Sequence, residues 1–299
     1  MGKKEKNVLE VWFYQIRGPF LILSIALVLI GITASRQAGF FHVGQSLLLM
    51  AGVVLAHISV NLFNEVSDFE TGIDEYTVRT PFSGGSGMIQ SGLVTPENVR
   101  MAAYISLAGA AVIGIYFFFV RSWFVLLPIL AGGTAVRYYS THFARWMLGE
   151  MVAGLTLGSL VIVGTYYCLT GTVNDGIVFI SIPPGILTAI LLLLNEFQDA
   201  AADKRGGRHH LVIHFGKART ARIFAAALIA AFGCILIAPL FFDLPKSLWI
   251  ALFTLPLACR TIYVVLNSYE DLSSLMPALA MNVAVVILTD LLIAAGFLL

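Results

Sequence analysis

The chain has 299 residues, of which 59% are hydrophobic and 12% are charged, and its formal net charge is +1. Because an ordinary soluble domain carries roughly 25% charged residues, this composition excludes a soluble globular protein and predicts one that crosses a membrane several times. No basic tract is present in the sequence, so we expect no nucleic-acid partner.

Apolar segments long enough to cross a bilayer as helices, which takes about 20 residues each, recur along the whole chain. The sequence therefore predicts an all-α fold with nine transmembrane helices in one bundle, forming a single domain over residues 1–299. The predicted spans are 18–36, 44–66, 101–120, 123–141, 150–170, 177–197, 221–241, 247–267 and 276–297.

Lysine and arginine residues are concentrated on one side of the predicted membrane. If the N-terminus is cytoplasmic, fourteen of them lie on the cytoplasmic side and one, Arg260, lies within the eighth span. Membrane proteins keep an excess of cations in their cytoplasmic loops. We therefore expect a multi-pass protein of the lipid bilayer with its N-terminus in the cytoplasm and its C-terminus on the opposite side. The cations expected on that opposite side are Arg36, Arg121 and Lys246.

Two similar polar stretches follow the second and sixth spans. They are "VNLFNEVSDFETGIDEYTVRT" (60–80) and "LLLLNEFQDAAADKRGGRHH" (191–210). Each begins a long connection, predicted over 67–100 and 198–220, on the cytoplasmic side. A charged group inside hydrocarbon costs at least about 2.5–3.5 kcal/mol, so carboxylates at this boundary indicate a functional site.

Spacing in the second stretch places its polar side chains on one helix face. Asn195, Asp199 and Asp203 are four residues apart. If the helix continues beyond the leucines, each of the three lies about one turn after the last.

In the first stretch the polar side chains share a helix face only in part. Asn61, Asn64 and Asp68 are spaced by three and four residues, which again predicts one face. Gly72 is expected to end this helix, because glycine is the usual residue after a helix C-terminus. Asp74 would then reach back toward the other acids from a loop.

Carboxylates gathered in this way repel one another unless a cation joins them. Oxygen ligands suit Mg²⁺, which typically connects one or two carboxylates to the phosphates of a substrate. Arg79, Lys204 and Arg208 lie nearby in the sequence and could hold the remaining phosphate oxygens. The two stretches therefore predict a diphosphate held through magnesium between two acidic helix ends, although either stretch alone could be a solvated helix end.

The stretches "NEVSDFETGID", followed by "RT", and "NEFQDAAADKRGGR" resemble the paired aspartate-rich motifs of the UbiA superfamily of intramembrane prenyltransferases. The resemblance implies a bundle around a central cavity capped by cytoplasmic loops, a prenyl diphosphate substrate, and two Mg²⁺ ions that bridge its diphosphate. The residues that it assigns are a first metal set (Asn64, Asp68, Asp74), a second metal set (Asn195, Asp199, Asp203) and diphosphate contacts (Asn64, Arg79, Asn195, Lys204, Arg208).

Further segments are similar to the menaquinone-pathway members of that superfamily, which prenylate 1,4-dihydroxy-2-naphthoate. The resemblance therefore implies an aromatic acceptor and a contribution of Tyr139 to catalysis. The similar segments are "GGSGMIQSGLVT" (84–95), "NEFQDAAADKRGGRHHLVIHFG" (195–216), the pair Tyr139-Ser140 and the pair Gly149-Glu150.

The chain also departs from those relatives near the expected acceptor. "THFARWML" (141–148) stands where they usually have Gly and Pro, and His210 and His214 stand where Thr and Arg are common. The naphthoate is therefore the favoured acceptor. Other acceptors of the superfamily stay open, namely 4-hydroxybenzoate, homogentisate, haem, chlorophyllide and a glyceryl phosphate lipid. His209 and His210 are expected on a polar loop face, and Glu150 either at a helix N-terminus or beside the acceptor.

An allylic diphosphate ionises to a carbocation, which aromatic faces attract by about 0.5–2 kcal/mol. Tyr138, Tyr139, Phe63 and Phe197 are candidates by position, and Tyr139 is preferred through the resemblance. His57, one turn before Asn61, is expected to be a hydrogen-bonded interior histidine rather than a metal ligand.

Two other classes of membrane protein fit the sequence less well. A cation-coupled transporter would keep its acids near the bilayer midplane, in broken helices, whereas these acids crowd one face. A CDP-alcohol phosphotransferase would need one dense motif containing Asp-Gly-Ala-Arg, which is absent from the sequence.

Overall fold

The computed structural model of the protein describes residues 7–77, 79–80, 82 and 84–299. Every regular element in these residues is a helix, which confirms the predicted all-α class. The helices are α1 (Val8–Gln15), α2 (Ile22–Gln37), α3 (Val43–Thr71), α4 (Ile73–Tyr76), α5 (Pro96–Val120), α6 (Leu126–Tyr138), α7 (Gly149–Val152), α8 (Leu160–Thr170), α9 (Asp175–Ile180), α10 (Ile182–Arg205), α11 (Leu211–Phe215), α12 (Lys217–Phe241), α13 (Leu255–Ser268) and α14 (Leu272–Gly296).

Several of these helices join end to end into longer helical stretches that can cross the membrane. Among the described residues, eight helical stretches are long and apolar enough to cross a bilayer, and the apolar helix Trp123–Tyr138 is shorter. Each of the nine corresponds to one predicted span. Helices suit this environment because they satisfy their backbone hydrogen bonds internally where no water is available.

The helices that carry the acidic motifs extend further than the predicted spans. α3 continues to Thr71 and α10 to Arg205, since a helix does not need apolar side chains once it leaves the hydrocarbon. The predicted long connections, 67–100 and 198–220, are therefore partly helical. α5 begins early for a different reason: Thr95 caps its N-terminus by accepting a hydrogen bond from the backbone N–H of Asn98 at 3.3 Å.

Close packing of α10 against residues 153–159 forms one wall of the bundle. This segment is a turn of π-helix between α7 and α8. A Cβ atom on Gly158 would lie 2.6 Å from Cα of Gly185, and one on Gly154 would lie 2.6 Å from the carbonyl oxygen of Gly185. Small residues of this kind let helix backbones approach closely in membranes. The contact holds the second acidic helix next to the segment that follows Glu150.

Candidate active site

The two acidic helix ends meet at one end of the bundle, around a single arginine. Arg208 follows α10 and donates hydrogen bonds to Oδ1 of Asp68 on α3 and, at 3.1 Å, to Oδ1 of Asp203 on α10. Both carboxylates are buried. Burial alone would lower the pKa of Arg208, yet the charges of Asp68 and Asp203 raise it above its ordinary value. The guanidinium is therefore a permanent cation between one carboxylate of each motif.

Asp74 joins this group from a single helical turn rather than from the predicted loop. Gly72 ends α3 with φ of 71°, as predicted, and α4 begins with the next residue. Nε2 of Gln90 donates a hydrogen bond to Oδ2 of Asp74. A Cβ atom on Gly85 would lie 3.2 Å from Oδ1 of Asp74, so the Gly-rich segment, residues 84–95, lies directly against this carboxyl.

The electrostatic surroundings of Asp74 favour the binding of a cation beside it. Burial first, and then the nearby carboxylates of Asp68 and Glu65, raise the pKa of Asp74 to about 7. Arg17 and Arg79 act in the opposite direction but do not offset this effect. A positive ion placed beside these groups would favour the ionised carboxylate and relieve the repulsion.

Glu65 belongs to the site but was not among the predicted residues. Its carboxylate is fully buried, and it accepts hydrogen bonds from Nε of Arg17 at 2.8 Å and from the backbone N–H and Oγ of Ser86 at 2.9 and 2.6 Å. It therefore fastens the Gly-rich segment to α3. Helical spacing could have identified it, because Glu65 is four residues after Asn61 and three before Asp68 and so belongs to the same face.

The remaining predicted residues lie in three different environments. Asn64, Asn195 and Tyr139 line a cavity below the carboxylates. Asp199 is half-buried, one helical turn from Asn195 and from Asp203. Arg79 and Lys204 are exposed at the rim, and Nε of Arg79 donates to the carbonyl oxygen of Gly84 at 3.3 Å.

Contacts from neighbouring residues position Asn64 and Tyr139 at the top of this cavity. Oγ of Ser140 donates a hydrogen bond to Oδ1 of Asn64. A Cβ atom on Gly149 would lie 3.2 Å from the Tyr139 hydroxyl, so the tyrosine lies over a residue without a side chain. The pairs Tyr139-Ser140 and Gly149-Glu150 thus meet in space.

His210 is buried, and the predicted polar loop face is wrong for this residue. Its Nδ1 lies 3.4 Å from Oε2 of Glu196 and its Nε2 lies 3.3 Å from Oδ2 of Asp203. The next residue, Leu211, donates its backbone N–H to Oε1 of Glu150 at 2.9 Å. Acids of α3, α7 and α10 therefore hold the segment after α10 over the site. Glu150 lies in the first turn of its own helix, α7, as predicted, and it also accepts a hydrogen bond from the N-terminus of α11.

The cavity below the acids has a volume of about 410 Å³ and mostly apolar walls from α2, α3, α5, α6, α8, α10 and α14. His57 in its wall contacts Oγ of Ser24 through Nδ1 at 2.7 Å, which confirms the predicted interior histidine. Of the four candidate aromatics, Tyr139 lines the cavity in the described chain. Phe63, Tyr138 and Phe197 do not, because Phe63 and Phe197 pack within hydrophobic clusters and Tyr138 is exposed. Aromatic lining residues not predicted are Phe20, Phe82 and Phe117.

The donor atoms at the acidic end fit a hard divalent cation. They are carboxylate and amide oxygens, the ligands of Mg²⁺, which binds through one or two carboxylates and keeps waters or phosphate oxygens as its other ligands. Within the described residues, no three His, Cys, Asp or Glu side chains are close enough to hold a metal by themselves. The arrangement therefore suits Mg²⁺ that arrives with a phosphate-bearing ligand better than a permanently caged metal.

Buried carboxylates and a fixed cation at one end of a membrane bundle, above an apolar cavity, define a membrane-embedded enzyme for a molecule with a charged head and an apolar tail. Residues 24–286 match the UbiA prenyltransferase family. The chain belongs to this family and is thus a membrane prenyltransferase, as the sequence predicted.

Similar proteins include two bacterial enzymes named 1,4-dihydroxy-2-naphthoate octaprenyltransferase. The one from Bacillus subtilis is 30% identical over 200 residues, which cover 64% of this chain and 63% of that protein. The one from Escherichia coli is 23% identical over 305 aligned positions, which cover 99% of this chain and 97% of that protein.

Solved structures of two archaeal proteins share the fold. A UbiA homologue from Aeropyrum pernix in its apo form has a TM-score of 0.69 at 18% identity, over 94% of this chain and 97% of that one. A UbiA homologue from Archaeoglobus fulgidus, solved with DMAPP and Mg²⁺, has a TM-score of 0.59 at 13% identity, over 92% of this chain and 98% of that one. At these identities the likeness establishes the fold, which agrees with the predicted bundle.

Proposed function

We propose that this chain transfers a polyprenyl group from a prenyl diphosphate to 1,4-dihydroxy-2-naphthoate within the membrane. The observation that carries the proposal is the position of Asp68, Asp203 and Arg208 directly above the apolar cavity. A diphosphate head and an isoprenoid tail match these two environments. The naphthoate as acceptor is supported by the names of the bacterial relatives.

Magnesium is the expected cofactor, as two ions that bridge the diphosphate. The residues that would hold it are Asn64, Asp68 and Asp74 on one side and Asn195, Asp199 and Asp203 on the other. Bound there, it would neutralise negative charge on the departing diphosphate. The presence of Mg²⁺ with DMAPP in the Archaeoglobus relative supports this assignment.

The chain's own groups would contribute binding, orientation and exclusion of water. Arg208, with Arg79 and Lys204 at the rim, would hold phosphate oxygens and stabilise the charge that develops as the allylic C–O bond breaks. The electron pair of that bond leaves with the diphosphate. Tyr139 and the apolar wall would keep the cation away from water until a ring carbon of the acceptor attacks it.

We further propose that the site opens on the cytoplasmic side. Both acidic motifs and the cations next to them lie at the same end of the bundle, and the excess of lysine and arginine assigns this end to the cytoplasm. A soluble acceptor would then enter from the cytoplasm and the prenyl diphosphate from the bilayer.

A turnover assay with purified protein and a labelled prenyl diphosphate tests the function against a panel of aromatic acceptors. We expect a prenylated product with 1,4-dihydroxy-2-naphthoate and Mg²⁺, and none after chelation of the metal. Asp68→Asn should lower turnover at least about 10²-fold, the usual effect of removing one charge-stabilising group from an active site.

The matched control is Glu70→Gln, two residues further along α3. Glu70 is exposed and pairs with exposed Arg100, and such surface pairs contribute about 0–1 kcal/mol, so activity should stay within about twofold. Full activity in the Asp68 variant would remove this residue from the mechanism. Preference for a different acceptor would overturn the naphthoate assignment while leaving prenyl transfer in place.

A further inference from the structure

Arg137, in the last turn of α6, lies among three aromatic rings from three helices. Its guanidinium carbon is 5.5 Å from the ring centre of Phe63, 6.0 Å from that of Tyr104 and 5.3 Å from that of Tyr138. The rings of Phe63 and Tyr104 also meet edge to face, with their centres 5.1 Å apart. We call Phe63, Tyr104 and Tyr138 the aromatic cluster. It brings α3, α5 and α6 together around one cation.

The charge of Arg137 is not neutralised by a carboxylate anywhere in the described part of the chain. Arg17, Arg100 and Arg208 differ, since each forms an ion pair. Aromatic rings contact the flat face of a guanidinium and leave the N–H donors at its edge. Those donors form a rigid fork that matches two oxygens of a phosphate. Arg137 is therefore held in a form suited to bind an anion.

Arg137 lies near the level at which α3 leaves the apolar part of the bundle. Its ring partner Phe63 directly precedes Asn64, the first polar residue of the acidic motif. The ion pair of Arg100 with Glu70 is further out, because Glu70 is seven residues beyond Phe63, or about 10 Å along the helix. A cation at the edge of hydrocarbon is costly without an anion. The phosphates of lipid headgroups are the anions found at this depth.

An exposed face of α5 continues from the aromatic cluster. A shallow groove on this face is lined by residues three or four positions apart, namely Glu97, Arg100, Met101, Tyr104, Ile105 and Ala108. Its length from Glu97 to Ala108 is about 16 Å, which is close to half of a hydrocarbon layer of about 30 Å and thus to one leaflet. Tyr104 belongs to both the groove and the aromatic cluster. A phosphate at Arg137 can therefore continue into an acyl chain along α5.

The segment that follows α6 presents further side chains typical of a membrane surface. The rings of Tyr138, His142 and Trp146 form a ladder, with successive centres 5.2 and 5.3 Å apart, and all three residues are exposed. Tyrosine and tryptophan are enriched where membrane meets water. His142 and Trp146 belong to "THFARWML" (141–148), in which this chain departs from the menaquinone-pathway pattern. This departure fits a contact with lipid headgroups.

We propose that Arg137 and the aromatic cluster bind the phosphate of an anionic phospholipid, whose acyl chain lies along the exposed face of α5. A choline headgroup would bring a second cation beside Arg137, whereas a glycerol headgroup brings none. The predicted orientation supports an anionic lipid, because the cytoplasmic leaflet carries the negative lipids that attract basic residues at the membrane. The bound lipid would hold the turn of α6 that leads into Tyr139 and Ser140.

The experiment titrates the full chain in detergent with phosphatidylglycerol, phosphatidylcholine or inorganic phosphate. The rise in melting temperature reports binding, since a ligand of the folded state stabilises it by mass action. Arg137→Gln removes the cation, and Arg137→Lys keeps the charge without the fork. The matched control is Arg260→Gln, because Arg260 also lies over a tyrosine, 5.3 Å from the ring centre of Tyr263, but does not line the α5 groove.

We expect the wild type to bind phosphatidylglycerol more tightly than phosphatidylcholine. Arg137→Gln should weaken binding of phosphatidylglycerol at least about tenfold, the effect of losing a charge-assisted hydrogen bond. Arg137→Lys should keep part of the preference, and Arg260→Gln should behave as the wild type. Equal losses in the two glutamine variants would overturn the proposal, as would equal binding of both lipids by the wild type.

The remaining ligand distinguishes a lipid from a soluble anion. Inorganic phosphate should not stabilise the wild type at the concentrations at which phosphatidylglycerol does, because it lacks the acyl chain that contacts α5. Equal stabilisation by phosphate would overturn the assignment to a phospholipid. No prenyl donor, acceptor or Mg²⁺ enters these titrations, so their outcome is independent of the proposed function.

Discussion

Arg208 is the residue on which both acidic motifs converge. It gives Asp68 and Asp203 a charged partner before any ligand is bound. Isolated buried carboxylates would otherwise be costly or would stay protonated. The same guanidinium carries donors on two separate nitrogen atoms, so one side chain can reach carboxylates from two helices. Arg208 is therefore both a folding contact and a cation positioned for the substrate's head.

Replacement of Arg208 tests the folding contribution. Arg208→Ala should destabilise the metal-free protein by about 3–5 kcal/mol, because it leaves two buried carboxylates facing each other. Arg208→Lys should have a smaller effect, since an ammonium group keeps the charge but lacks the planar fork. Added Mg²⁺ should restore part of the loss, as measured by thermal unfolding in detergent with and without the metal.

Arg100→Ala provides the comparison, because it also removes an arginine that pairs with an α3 carboxylate. Arg100 and its partner Glu70 are both exposed, so the loss should be within about 1 kcal/mol and independent of Mg²⁺. Equal losses in the two alanine variants would show that the buried pairing of Arg208 contributes nothing special.

At the scale of helices, the exit from α3 decides where Asp74 lies. Gly72 has a left-handed backbone, with φ of 71°, and directs the chain into α4, which begins at Ile73. An L-residue is strained in this conformation because its Cβ approaches the carbonyl oxygen. The helix end therefore both stops α3 and returns Asp74 to the acidic cluster.

A pair of glycine substitutions separates these two consequences. Gly72→Ala and Gly39→Ala each place alanine at positive φ, and neither Cβ would meet another atom within 4 Å. Each should therefore cost about 1–2 kcal/mol of stability through backbone strain alone. Only Gly72→Ala should also weaken Mg²⁺ binding, measured by Mn²⁺ competition in electron paramagnetic resonance, because only Gly72 precedes a proposed ligand. Unchanged metal affinity in that variant would argue against Asp74 as a ligand.

At the scale of the whole molecule, the distribution of charge predicts one orientation. If successive spans alternate across the bilayer, the acidic site shares its membrane face with most of the lysines and arginines. Arg121, at the C-terminal end of α5, donates hydrogen bonds to carbonyl oxygens at the C-terminal end of α8 and belongs to the opposite face in this prediction.

Reporter fusions in a bacterial host test this orientation. Alkaline phosphatase fused after Leu299 should be active and green fluorescent protein at the same place dark, because the C-terminus is expected outside the cytoplasm. Fusions after Gly216, in the connection after the second acidic motif, should give the opposite pattern. A fluorescent C-terminal fusion would reverse the predicted orientation.

Local pattern predicted the helices and much of their detail. Hydropathy located the spans, and helical spacing predicted that α10 continues beyond its leucines, although its end at Arg205 is known only from the structure. The helix stop at Gly72 and the interior position of His57 followed from residue type alone. Phe63, Tyr138 and Phe197 failed as cavity residues because position along the chain does not reveal which neighbour a side chain will face.

The amino-acid sequence was sufficient to predict membrane insertion, the helices and the family, because apolar length and helical periodicity are properties of neighbouring residues. Contacts between distant residues were decided only by the folded bundle. Arg208 and Asp68 are 140 positions apart, Leu211 donates its backbone N–H to Glu150 of α7, 61 positions away, and the apolar cavity exists only where several helices pack together. Such contacts depend on how helices pack in three dimensions, and no local pattern contains that information.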